Sequence, residues 1–264
     1  MTTELLVEKD GDLAILTLNR PERMNAINRS MRLAFVSAMR SFNADDSIRA
    51  IVLRGATHKA FTSGMDLDDA YEVTWDKMVT IMNDQREALE VVRDMNKPVV
   101  CAIDGICLGA GFHIALLSDW RVATPTSTWG QPEVRVGIAS IVGPYLMSLY
   151  TGIGHYMELS LSAEAITGQR AYEIGFVSTL CEPDQVLDTA KARAKQMASM
   201  PKLAVKLTKQ RMRDLTHEAF NEAFIAGTLA QIQCLGDGER QAMINQFLAR
   251  REAKKNARAI RHEQ

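Results

Sequence analysis

The sequence has little cysteine. Four stand in 264 residues, Cys101, Cys107, Cys181 and Cys234, and no two form a C-x-x-C pair. In a chain with this much apolar content that argues against a disulfide framework, and no histidine-cysteine cluster suggests zinc. An excess of charge of one sign is also lacking. Lys and Arg total 31 against 32 Asp and Glu, a formal net charge of −1, so neither nucleic acid nor an anionic membrane is expected as the main partner. The one basic tract (Arg250, Arg251, Lys254, Lys255, Arg258, Arg261) sits near the C-terminus and also carries Glu252. No apolar run approaches the roughly 20 residues of a membrane span. The opening MTTELLVEKDG has neither the basic start nor the apolar stretch of a signal peptide. A cytoplasmic protein is expected. Fixed-period repeats, a Walker A pattern, G-x-G-x-x-G and a G-x-S-x-G elbow are absent as well.

What is present is a core: 47% of residues are hydrophobic and 24% charged, ordinary globular usage. ELLVEKDGDLAILTLNRP reads as two short strands about a turn at Asp10-Gly11-Asp12. Apolar residues at Met31, Ala34, Phe35, Ala38, Met39 and Phe42 keep helical spacing, with Ser30 as the expected N-cap. AIVLRG and VVCAIDG are short apolar strands. Between them Met78, Ile81, Met82, Leu89, Val92 and Met95 mark one face of a long helix. Strands alternating with helices give an α/β class. Beyond Asp184 the pattern is almost wholly helical, so residues 1–200 are expected to form an α/β core and 201–264 a helical C-terminal region.

Two small-residue turns each follow a strand. KAFTSGMDLDD follows AIVLRG, and GICLGAGFHIALLSD follows VVCAIDG. The second places Gly109-Ala110-Gly111 at the mouth of a helix, where backbone N–H groups lack intrahelical acceptors and carry positive dipole character. Two such turns can converge two N–H donors on one carbonyl oxygen, an oxyanion hole worth about 3–4 kcal/mol per donor in a dry site. The alternative is that the glycines only permit close packing. A third stretch, WGQPEVRVGIAS, puts Glu133 after Pro132 in apolar surroundings. Burial there raises a carboxyl pKa toward proton transfer; an ordinary surface glutamate is the other reading.

Taken together, LNRPERMNAIN, AFTSGMDL, KPVVCAIDGICLGAGFHIALLSDWRVAT, WGQPEVRVGI and ITGQRAYEIGFV resemble the crotonase (enoyl-CoA hydratase/isomerase) superfamily. They fall in the family's order and cover most of residues 10–185. The resemblance implies a spiral of ββα turns with a helical C-terminal region that drives trimerisation, trimers often pairing into hexamers. It implies a coenzyme A thioester as substrate and no permanently bound cofactor. The oxyanion hole would be built by the backbone N–H groups of Met65 and Ala110. Ser63, Met65 and Leu67 match the segment around the adenine of coenzyme A, and Ala26 matches another contact of that pocket.

Family hydratases use two glutamates, and here the resemblance is incomplete. Glu133 matches one, but the position of the other is His113. GIASIVGPYL also departs from the P-G-x-G-G turn that many relatives place beside the acyl pocket. On a helix that begins near Gly109, His113 lies one turn beyond Ala110. Its imidazole either holds a water or moves a proton, or it fills space and bonds a neighbour. A lone acid/base suffices to shift a double bond or to cleave a hydroxyacyl thioester. The expected activity is enoyl-CoA hydration, with isomerase or lyase chemistry as alternatives. A crotonase-fold binding protein without catalysis, associated with RNA through the basic tract, is the rival from another class. A serine hydrolase lacks any triad.

Overall fold

In this computed structural model, residues 3–69, 73–246 and 248–250 are described. Strands β1 (Leu5–Asp10) and β2 (Leu13–Leu18) pair antiparallel about Gly11 and Asp12, and helix α1 (Arg29–Ala44) follows. The strand-strand-helix pattern then recurs. It runs β3 (Ala50–Gly55), β4 (Ala60–Thr62) and α2 (Trp75–Arg93), then β5 (Val99–Ile103), β6 (Ile106–Leu108) and α3 (Ala110–Leu117). A further turn is β7 (Trp120–Ala123), β8 (Thr128–Gly130) and α4 (Val142–Ser148). After α5 (Ile153–Ser162), β9 (Ile166–Thr167), α6 (Gly168–Glu173) and β10 (Thr179–Leu180) come α7 (Val186–Ala198) and the long α8 (Lys202–Asp237).

From β3 onward each turn gives one strand to each of two sheets. The larger has the order β1-β2-β3-β5-β7-β10, the smaller β4-β6-β8-β9. All neighbours from β2 to β10 in the large sheet run parallel. This is the crotonase-like spiral of ββα turns, with helices beyond it.

Both faces of the large sheet are buried, which is why its strands read as continuous apolar runs. Leu13, Ile15, Ala50, Val52, Val100 and Val122 face α7, whose Ala190, Ala194 and Ala198 allow close approach. The alternate residues Leu16, Ile51, Leu53, Val99, Cys101 and Ile103 pack in the main core with α1, α2 and α3. Helix α8 lies over α2 and α4 and contributes Phe220 and Phe224 to that core.

One sequence expectation is corrected at the start of α1. The N-cap is Asn28, not Ser30: its Oδ1 accepts from the Met31 N–H at 2.8 Å. Asp69 accepts from the N–H of Arg29 at 2.6 Å, so a neighbouring loop fixes the first turn earlier than the apolar periodicity does. No helix among the described residues is long and apolar enough to cross a membrane. The basic tract from Arg251 onward lies outside the described residues.

Candidate functional site

The two small-residue turns meet. A Cβ on Gly64 would stand 2.9 Å from the carbonyl oxygen of Leu108 and 3.4 Å from the nitrogen of Ala110. Gly64 and Gly109 both hold positive φ, 98° and 51°, a region where side chains are strained. Gly111 has a different task, because a Cβ there would lie 2.1 Å from Cγ2 of Thr62. The glycines therefore serve both packing and access.

Among the described residues, two backbone donors find no partner at this junction. Ile27 and Met65 form a parallel bridge in which Ile27 N–H donates to Gly64 and Asp66 N–H donates to Ile27. Those two bonds flank Met65 and leave its own N–H outside the ladder. Ala110 opens α3, and the first N–H groups of a helix have no intrahelical acceptor. Both residues line a cavity of about 320 Å³ with Ser63, Leu67, His113 and Glu133. Ala26 does not line it. It sits behind that wall, where Ser63 N–H donates to the carbonyl of Met24 and Arg20 bonds both the Ala26 carbonyl and Asp66.

Glu133 begins the 3-10 turn Glu133–Val136, and its carboxylate stands over Gly109: a Cβ on that glycine would be 3.1 Å from Oε1. Burial pushes the Glu133 carboxyl up to about 7, against a hydrogen bond from its own backbone. A carboxyl poised there exchanges protons readily at neutral pH.

His113 is 8% exposed, and burial pulls its imidazole down to about 4. It is neutral at pH 7. Its Nε2 lies 2.7 Å from the side-chain amide of Gln131. Amide oxygen and nitrogen are told apart by their partners. With the oxygen accepting from His113 Nε2–H, the amide nitrogen donates to Oε2 and Oε1 of Glu133 at 2.8 and 3.1 Å. Imidazole and carboxylate are thus joined through one amide. Gly143 leaves room for it, since a Cβ there would fall 2.4 Å from the amide.

The sequence-predicted Met65, Ala110, Glu133 and His113 are therefore brought to one place, with Ser63 and Leu67 beside them and Ala26 one layer away. Gln131 was missed as a functional residue. Its signal was present, two positions before Glu133 in WGQPEV, but an isolated glutamine carries no titration to point to it. The hydroxyl of Ser63 lies 3.5 Å from the Arg23 carbonyl, and among the described residues no histidine is bonded to it. Among the described residues no group of three His, Cys, Asp or Glu is placed to hold a metal.

A family model described as enoyl-CoA hydratase/isomerase matches residues 8–256. A short-chain-enoyl-CoA hydratase of Clostridium acetobutylicum is 33% identical over 210 residues, 78% of this chain and 79% of the relative. A 2,3-dehydroadipyl-CoA hydratase of Escherichia coli is 33% identical over 214 residues, covering 80% and 82%. Among solved structures, an enoyl-CoA hydratase/isomerase from Xanthobacter autotrophicus superposes with a TM-score of 0.88 at 27% identity, over 99% of this chain and 98% of that one.

Proposed function

Because the chain belongs to the enoyl-CoA hydratase/isomerase family, we propose that it adds water across the double bond of an enoyl-CoA thioester, with Glu133 as the proton carrier. One observation carries this reading. The Glu133 carboxylate overhangs Gly109, beside the uncommitted N–H groups of Met65 and Ala110. The thioester carbonyl accepts from those two N–H groups, and the adenine end lies along Ser63, Met65, Leu67 and Ala26. Water attacks the β carbon and gives its proton to the Glu133 carboxylate, while the double-bond electrons move onto the carbonyl oxygen as an enolate. The enolate collapses by taking that proton at the α carbon. One water is added, and no resident cofactor takes part.

A second reading has its own support. Among the described residues that line the cavity, Glu133 is the single carboxylate. One carboxylate suffices to move a proton between carbons, so double-bond isomerisation, or cleavage of a hydroxyacyl thioester, uses the same parts. Incubation with a panel of enoyl- and hydroxyacyl-CoA thioesters in D₂O, with products identified by mass, separates these. Hydration adds 20 mass units as D₂O (~20, from one water with both hydrogens exchanged), isomerisation exchanges carbon-bound hydrogen only, and cleavage gives two fragments. No change in any thioester would sink the enzymatic reading.

His113 acts in this reading through Gln131, not on water, because its Nε2–H is committed to the amide. His113→Ala should lower hydration and α-carbon exchange together, by about tenfold, through loss of carboxylate positioning. Parallel assays of the two activities check this. A fall confined to hydration would assign the imidazole to the water instead.

The same reading includes assembly into a trimer or a pair of trimers. Leu203, Leu207, Leu215, Ile225 and Leu229 of α8 are exposed, as are Ile153 and Leu161 of α5. A surface this apolar is expected to be covered by other copies. Light scattering at micromolar concentration should give a mass of three or six chains, and a monomer would refute it.

A further inference from the structure

Arg240 has no place in the chemistry above, yet it lines the same cavity. It is 3% exposed. Its backbone rests on Gly137, where a Cβ would stand 2.6 Å from the Arg240 Cα. Gly137 closes the turn that Glu133 begins, so Arg240 is fixed one short turn along the wall from the proton carrier. Its Nε is buried with no hydrogen-bond partner. Among the described residues the titratable neighbour that bears on it is the Cys234 thiol, and no carboxylate offsets its burial.

A buried guanidinium without a counter-charge is costly. Glu133 does not supply one: the causes of its shift are burial and its own backbone, with no cation among them. His113 is neutral at pH 7. The other described residues of the lining are uncharged, so among the described residues Arg240 is its single permanent cation. A ligand entering the cavity can supply the missing acceptor. In the thioester reading proposed above the carbonyl sits at Met65 and Ala110, and an acyl chain leaving it toward the proton carrier runs past Glu133. A guanidinium farther along that wall meets the end of the chain, and its planar fork matches a carboxylate.

We propose that Arg240 binds a carboxylate at the far end of the acyl chain, so that the preferred substrates are coenzyme A thioesters of unsaturated dicarboxylic acids. This rests on the thioester reading given above. Part of the guanidinium's desolvation is already met in the free protein, with Nε buried and unpartnered, which lowers what binding a carboxylate must still offset.

The test uses saturated thioesters, which bind without reacting. Succinyl-, glutaryl- and adipyl-CoA are titrated calorimetrically against butyryl-, pentanoyl- and hexanoyl-CoA, on the full chain and on Arg240→Met and Arg240→Lys. For at least one chain length the dicarboxylic thioester should bind on the order of 10²-fold tighter than its methyl-ended partner. Arg240→Met should erase that preference while the methyl-ended thioesters stay within about threefold, and Arg240→Lys should keep part of it. Melting curves confirm that both variants are folded; if Arg240→Met is not, the preference of the native chain and its reduction in Arg240→Lys still decide. Equal binding of the two series at every length overturns the proposal and leaves the thioester reading standing. An equal loss on both series and on free coenzyme A assigns the guanidinium to the nucleotide end, which also overturns it. Failure of every thioester to bind removes the thioester reading and this proposal with it.

Discussion

Glu133→Gln should lower turnover of an enoyl-CoA thioester by a factor of about 10² or more. The substitution keeps shape and polarity in the cavity but removes the only carboxyl among its described lining residues that can exchange a proton. Substrate binding should change little, because in the proposed mechanism backbone donors and not this side chain hold the carbonyl. Full activity in the variant would sink the assignment. The native enzyme carries a second signature. With the carboxyl pushed up to about 7 by burial and needed as a base, kcat/KM should rise with pH and level off above about pH 7. That limb should be absent from whatever activity the variant retains.

The same shift has a consequence for stability whose sign is opposite to that of activity. The folded value of about 7 lies above the ordinary 4.5, so folding favours the protonated acid. Below about pH 4.5 the acid is protonated in both states and nothing is lost. Between about pH 4.5 and 7 the unfolded chain ionises while the folded acid does not, so the fold loses on the order of 3 kcal/mol at about 1.4 kcal/mol per unit, and the loss is complete once pH has risen through 7. Glu133→Gln should therefore melt higher than the native chain at pH 8 and match it near pH 4. Thermal melts at the two pH values check this. A carboxylate retained at such a cost is consistent with a site shaped for chemistry over stability.

Much of this was legible in the sequence because each piece has a local cause. Strands buried on both faces appear as unbroken apolar runs, as in VVCAI, and the small-residue turns mark where the backbone must come close. Glu133 was legible from its apolar, proline-fixed surroundings. The N-cap of α1 was not, because Asp69, 40 positions on, bonds the N–H of Arg29. Nor was the partner of His113. Periodicity places an imidazole on the cavity side of α3, but which group receives its N–H depends on a different strand and on Gly143 leaving room for an amide. Arg240 was least legible of all. It stands in a charged stretch where arginines are usually solvated, and only the tertiary approach to Gly137 buries it.

Ala110→Pro should cut kcat by about 10²–10³ while leaving the fold intact, the loss associated with one oxyanion donor. Proline is ordinarily a poor probe of a backbone N–H, since it breaks the element it enters. Here the position is favourable. Ala110 is the first residue of α3, where the fixed φ of proline suits a helix and the lost N–H has no intrahelical acceptor. The residue before it is Gly109, at φ 51° and ψ −123°, and the absence of a side chain there removes the Cβ part of the usual clash with a following proline ring. Ala110 is also buried beside Gly64, so the ring must find space, and circular dichroism with a melting curve is needed as the folding control. Given a folded variant, the kinetic pattern is diagnostic. A donor aimed at charge that develops in the enolate lowers kcat and kcat/KM together, whereas one that only holds the ground-state thioester raises KM and spares kcat. The uncommitted N–H of Ala110, at a helix terminus and opposite Met65, fits the first pattern. A folded Ala110→Pro protein that turns over substrate at the native rate would show that no oxyanion is stabilised at this junction, and the glycines would then serve packing alone.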